Sequence, residues 1–280
     1  MGKFLWALLL CVPVFAAKLT VAVTLQPYAS IVQEIGGSDV DVVALVPPGA
    51  DPHTFEPKPS SLKEFSKAVA YFSDGSGIDE AWLPRFTGVN KMVKVFALSN
   101  GIDWIEGGKH HHPEDRDLDP HLWTSPLQLQ RVAHNVCEAL ASLDEPHADK
   151  YRARSAKLMQ RLANQDLELR TTIEKLSPES RTFIVFHPAY GYFARDYGMT
   201  QLTVEVKGKE PKPRDVFDLI KIGKENHVGI VFVQPQFSKR SAATIAKELN
   251  AVILETDPLA FDYESNIRAL IKAIQDNVKK

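Results

Sequence analysis

The tripeptide Asp51-Pro52-His53 returns as Asp119-Pro120-His121, and two related proline-flanked pairs, His187-Pro188 and Asp257-Pro258, follow it down the chain. His53, His121, His187 and Asp257 therefore stand 68, 66 and 70 residues apart. A strand with its crossover helix and loops takes roughly 30 residues or more, so this spacing puts one metal-capable side chain on about every second strand-helix unit. Open α/β sheets bind ligands beyond the carboxyl ends of their strands. Three of the four positions follow an apolar run that reads as a strand: Val40–Pro47 before His53, Phe183–Phe186 before His187, and Val252–Leu254 before Asp257. His121 instead precedes a helix start. Three imidazoles and one carboxylate suit tetrahedral Zn²⁺.

The intervening sequence alternates strand and helix. Leu19–Leu25 is β-rich, and Pro27-Tyr28-Ala29 opens an apolar-periodic helix through Ile35 that Gly36-Gly37 ends. Asp39–Val46 reads as the second strand and Ser60–Lys67 as a helix with Ser60 or Ser61 at its N-cap. Strands Ala68–Ser73 and Lys94–Ala97 flank a short helix at Asp79–Phe86. Ser125-Pro126 supplies a cap and first turn for a helix over Leu127–Leu143. Beyond Pro146, His147–Leu176 contains neither glycine nor proline and repeats apolar residues at Leu158, Leu162, Leu169 and Ile173, which predicts a helix of ~45 Å at 1.5 Å per residue. Strands Thr182–Phe186, Thr203–Val206, Ile230–Val233 and Ala251–Leu254 then alternate with helices at about Pro188–Tyr197, Arg214–Glu225, Ser238–Leu249 and Tyr263–Val278. The fold class this predicts is α/β: mostly parallel, doubly wound sheets in two lobes, 18–144 and 178–280, joined by one long helix over 145–177.

Residues 1–17 stand apart from that pattern. Lys3 followed by the uncharged, mostly apolar Phe4–Ala17, with Val14-Phe15-Ala16 for cleavage, reads as a secretory signal peptide. The run is shorter than the ~20 residues a spanning helix needs, so the expected product is exported and soluble. Without Lys3 the balance is 32 basic against 35 acidic residues, which gives no basic footprint for nucleic acid. Cys11 falls inside the leader and Cys137 is the only other cysteine, so no intramolecular disulfide is expected after cleavage. Cys137 occupies an apolar helical position and reads as a small buried hydrophobe.

Between Gly107 and Asp119 the pattern stops at a polar loop carrying His110-His111-His112. Adjacent loop histidines do not easily converge on one ion, and the tract reads either as an accessory metal contact or as a solvated loop. His134 and His147 lie in helical stretches and read as ordinary helix residues. Asp51 and Asp119 read as loop-orienting groups or partners for imidazole N–H groups.

With VPPGADPHTFEP around His53, DPHLW around His121, FHPAYGYFARDYG around His187 and ETDPLA around Asp257, the mature chain resembles the periplasmic zinc- or manganese-binding proteins of ABC importers, the ZnuA/TroA type. The resemblance implies two α/β lobes on a single rigid helix, a metal in the cleft between them, little motion on loading, and delivery of the ion to a permease in the inner membrane. It assigns His53 and His121 from the first lobe and His187 and Asp257 from the second. Members of the family that look manganese-selective usually carry a carboxylate where this chain has His187, which favours Zn²⁺ over Mn²⁺ on ligand softness. An Asp before Pro is also an ordinary turn former, so Glu56, Glu205, Glu255 or water stand as alternatives for the fourth position. The resemblance further implies a periplasmic, non-enzymatic monomer. A secreted zinc hydrolase also uses three protein ligands and an open position, but the chain has no H-E-x-x-H segment. An adhesin of the same fold remains compatible with these motifs.

Overall fold

Leu19–Val23 (β1), Val40–Ala44 (β2), Ala70–Ser73 (β3) and Lys94–Ala97 (β4) form a four-stranded parallel sheet in the order β2-β1-β3-β4. Thr182–Val185 (β5), Thr200–Thr203 (β6), Ile230–Val233 (β7) and Val252–Glu255 (β8) repeat the topology as β6-β5-β7-β8. The structure is a computed structural model that describes residues 18–106, 118–205, 211–235 and 239–278. The leader, His110–His112 and most of the basic loop before residue 211 lie outside those residues. In both sheets the strand order reverses beside the first strand, which is where such folds place their binding crevice.

The sheets are covered on both faces, and the alternation of side chains along each strand divides them between two layers. Val21 and Val23 of β1 face a central core while Ala22 faces outward. Phe183 and Val185 of β5, and Ile230 and Phe232 of β7, enter the same central core, whereas Ile184, Val231 and Val233 join an outer cluster. Gln26–Gly36 (α1), Pro126–Leu143 (α4), Ala148–Ile173 (α5) and Tyr263–Val278 (α9) fill the centre. Pro59–Phe65 (α2) and Gly77–Val89 (α3) pack outside the first sheet; Pro213–Glu225 (α7) and Lys239–Leu249 (α8) pack outside the second. Gly191–Tyr197 (α6) follows β5 and ends on Gly198, whose left-handed φ of 62° lets the chain leave the helix.

The long helix is α5, 26 residues and about 39 Å. Its four expected apolar positions, Leu158, Leu162, Leu169 and Ile173, are all buried in the core shared by the two sheets. Its arginines divide between the lobes. Arg154 donates to the Gly36 carbonyl at 2.7 Å and pairs with Asp39. Arg161 pairs with Glu34 of α1 and with Glu264 of α9. Arg170 donates to the Asp196 carbonyl of α6 at 3.3 Å.

Three local expectations change. The second strand of the later lobe lies at Thr200–Thr203 instead of 203–206, because pairing of Thr182 with Thr200 through Val185 with Thr203 sets its register. Pro59 opens α2 at its first turn after Lys58, so Ser60 and Ser61 lie inside the helix and not at its cap. Ser125 stands at the N-cap of α4, but its hydroxyl makes no cap bond; it donates to Asp196 Oδ2 of the other lobe at 2.7 Å, beside Gln128 Nε2 at the same distance. A local helix signal thus serves a contact between lobes. Cys137 is buried, as its helical position implied.

Candidate metal centre

The recurring Asp-Pro-x segment is a turn with a defined job. Asp51 Oδ1 accepts the N–H of His53 at 3.0 Å, Asp119 Oδ1 that of His121 at 2.9 Å, and Asp257 Oδ1 that of Leu259 at 3.0 Å. Each carboxylate captures the amide two residues on, while the proline between fixes φ. The turn therefore sets the direction of whichever side chain follows the proline. His187 has no such aspartate. Its backbone is held instead by Gln234 at the end of β7, whose Oε1 accepts the His187 N–H at 2.8 Å and whose Nε2 donates to the His187 carbonyl at 3.0 Å.

These turns bring His53, His121 and His187 together, with one nitrogen of each inside a cluster 4.8 Å across. His187 Nε2 is 3.2 Å from His53 Nε2 and 3.3 Å from His121 Nε2. His121 is buried, His187 half-buried, and His53 exposed at the rim. Asp257 lies on the half-buried loop after β8 and its carboxylate stands outside the 4.8 Å cluster. Asp51 holds its own loop, with Thr54 Oγ1 donating to its Oδ2 at 3.2 Å. Asp119 does more: its Oδ1 also lies 2.7 Å from His121 Nδ1.

Glu205, nearly buried just past β6, faces His187 Nδ1 with Oε1 at 3.1 Å. Carboxylates at Nδ1 assign that nitrogen the proton in His121 and His187 and leave each Nε2 as an unprotonated donor facing inward. Two lone pairs then converge beside the Nε2 of His53, and a cation placed among the three nitrogens satisfies all of them at once. Around tetrahedral Zn²⁺ with Zn–N bonds of about 2.0–2.1 Å, nitrogens sit about 3.3–3.4 Å apart. The two Nε2 separations match that spacing to about 0.1 Å.

Electrostatics agree with an electron-donating site. Burial raises Asp119, but His121 and then His187 outweigh it and hold its carboxyl below the usual range. His53 is driven the other way, down to about 4: one edge of its ring is open at the rim, but packing against the other two rings removes hydration first, and His187 and then His121 add their repulsion. We expect the His53 ring in metal-free protein to titrate near that value in NMR. Because an unfolded histidine titrates at ~6.5, acid protonates the unfolded chain first. This group's contribution to stability is therefore complete above ~6.5 and falls away as pH drops toward about 4. A His53 midpoint of ~6.5 would mean that the three rings do not cluster in solution.

Glu205 and Gln234 were not singled out as positioning groups from sequence. Gln234 carries a weak signal, a lone amide closing the apolar run Ile230–Val233 ahead of Pro235. Glu205 was read only as an alternative fourth ligand, and its place in the strand expected at 203–206 gave no sign that it would face His187 Nδ1.

Two parallel α/β lobes on one long helix, with three inward-facing imidazoles where the lobes meet, define a two-lobed binding protein with a metal-capable cleft. The family model described as zinc-uptake complex component A, periplasmic, matches residues 21–279. The chain is 30% identical over 247 residues to the high-affinity zinc uptake system protein ZnuA of Bacillus subtilis, covering 84% of this chain and 76% of that protein. It is 25% identical to the zinc-binding protein AdcA of Streptococcus pyogenes, covering 95% of this chain but only 55% of that longer one. Among solved structures it superposes on a crystal structure of ZnuA with a TM-score of 0.85 at 37% identity, covering 93% of this chain and 99% of that one. A manganese-bound periplasmic metal-binding protein from Candidatus Liberibacter asiaticus gives 0.80 at 25% identity, covering 93% and 100%. The chain belongs to the family of periplasmic zinc-uptake components.

Proposed function

We propose that this chain captures Zn²⁺ in the cleft between its lobes, with His53, His121 and His187 as ligands, and hands it to the permease of an ABC-type importer. The observation that carries the reading is the Nε2 spacing of 3.2 and 3.3 Å, with Nδ1 of two rings held by carboxylates. Asp257 is the fourth ligand in this reading, closing the shell from the loop after β8. A closed shell leaves no position for an activated water, so the protein acts as a carrier and not a hydrolase. It works as a periplasmic monomer without nucleic acid, exported by its first 17 residues. No helix among the described residues is long and apolar enough to cross a membrane.

Mn²⁺ is the second reading, supported by the manganese-bound relative. Ligand chemistry favours zinc, because imidazole suits Zn²⁺ while Mn²⁺ binds more weakly and prefers oxygen. The test is titration of chelator-stripped protein with each ion in competition with an indicator. One Zn²⁺ per chain, displaced by Mn²⁺ only at large excess, is expected. Tighter binding of Mn²⁺, or turnover of ester or peptide substrates by the zinc-loaded protein, would replace this reading.

A further inference from the structure

Each lobe sends one aromatic side chain across the cleft to the backbone beside the other lobe's candidate ligand. Trp123, two residues after His121, is 4% exposed, and its Nε1–H donates to the Pro258 carbonyl at 2.7 Å. Pro258 adjoins Asp257. The same indole lies 5.2 Å from the His121 ring and meets Tyr28 edge-on at 5.6 Å. In the reverse direction, the hydroxyl of Tyr192, fully buried on α6, donates to the Asp119 carbonyl at 2.8 Å and accepts the Ile105 N–H at 3.2 Å. Asp119 is the residue that holds His121.

We infer that Trp123 and Tyr192 form a reciprocal latch that fixes the ligand loops of the two lobes at one separation and thereby sets the cleft's preference among divalent cations. This rests on the metal-capture reading. The physical argument concerns which contacts can carry position. Both bonds end on carbonyls within one residue of Asp257 or on Asp119 itself, so they set backbone position where a ligand side chain begins. A carbonyl buried without its donor costs roughly 1–3 kcal/mol, so the loops cannot slide apart freely. Neither aromatic offers an atom to the imidazole cluster, so both are positioning residues. A cleft held at the nitrogen spacing of tetrahedral Zn²⁺ penalises an ion that wants more ligands at longer distances. A loosened cleft would not.

Tyr192→Phe removes one hydroxyl and leaves the packing, and Trp123→Phe removes the indole N–H with part of the ring. Hydrogen exchange on the metal-free protein reads the latch directly at the Leu259 and Ala260 amides, which donate to Asp257 Oδ1 and to the Asp257 carbonyl. Trp123→Phe is expected to speed their exchange. Competition titration is expected to show Zn²⁺ affinity lower by about tenfold in either variant, the size of one buried hydrogen bond, with Mn²⁺ affinity nearly unchanged. A purely structural role would weaken both ions equally and leave the ratio at the wild-type value. That result in both variants, or unchanged exchange at Leu259 and Ala260 in Trp123→Phe, overturns the proposal. Failure of the wild-type protein to bind zinc would count against metal capture itself, while the exchange comparison would still decide whether the latch orders the loop.

Discussion

Saturating zinc is expected to raise the melting temperature of the stripped protein by about 5–10 °C. A ligand bound only by the folded state stabilises it by RT ln(1 + [L]/Kd), about 2.7 kcal/mol at one hundred times Kd, and domains of 150–250 residues gain about 2–4 °C per kcal/mol. The unfolded chain competes poorly, because the three histidines are separated by 68 and 66 residues and converge only through the turns at residues 51, 119 and 187. His187→Ala should remove most of the shift, since His187 is the ring that stands within 3.3 Å of both others. Asp257→Ala should remove less of it. Its Oδ1 is already occupied with the Leu259 amide, and water can fill an oxygen position on zinc that no small donor fills for an imidazole. Differential scanning calorimetry across a zinc series measures all three proteins. A melting point indifferent to zinc in the wild type would leave the cluster without a cation to serve.

What sequence could reveal here depends on how far a contact reaches. The strand-helix alternation was legible because each element carries its own signal: the unbroken apolar stripe of α5, the Gly36-Gly37 stop after α1, the Tyr263–Val278 helix at its observed limits. His53 and His121 were legible because the Asp-Pro-His turn is local chemistry, spanning two residues from carboxylate to captured amide, and His187 was legible from its proline neighbour and its even spacing from them. Of the groups that aim the rings, Asp119 was legible beside His121, whereas those that aim His187 were not. Glu205 meets His187 across 18 residues and Gln234 across 47, and both meetings follow from sheet register, which no local pattern encodes. Ser125 misled for the complementary reason. Its position satisfies every local rule for a helix cap, yet an aspartate 71 residues away outcompetes the helix for its hydroxyl. Asp-Pro at 257 is the intermediate case: the turn was legible, but whether its carboxylate reaches an ion depends on the approach of a loop from the other lobe.

The lobes also meet where Gly191 faces Asp119, and replacement of Gly191 by alanine is expected to lower zinc affinity by about ten- to a hundredfold, the range for losing a partner that orients a ligand. A methyl on Gly191 would run into Asp119 Oδ2 and stand 3.7 Å from Ile105 Cδ1. The backbone there is ordinary helix, so the effect is steric and not conformational. Asp119 has little room to give way. Its Oδ1 holds both the amide and Nδ1 of His121, at 2.9 and 2.7 Å, and its carbonyl accepts the Tyr192 hydroxyl one residue beyond the new methyl. Turning the carboxylate aside would release the His121 ring; moving α6 back would stretch the cleft. Overpacking of this kind costs about 1–3 kcal/mol, so urea unfolding of the metal-free variant should show the loss independently of zinc. Gly198→Ala is the matched control. It forces an alanine into the left-handed conformation at φ 62° but meets nothing within 4 Å, so it should lose about 1–2 kcal/mol of stability and bind zinc as the wild type does. Calorimetric titration of both variants separates the two effects. Wild-type affinity in Gly191→Ala would show that Asp119 does not govern the set of His121.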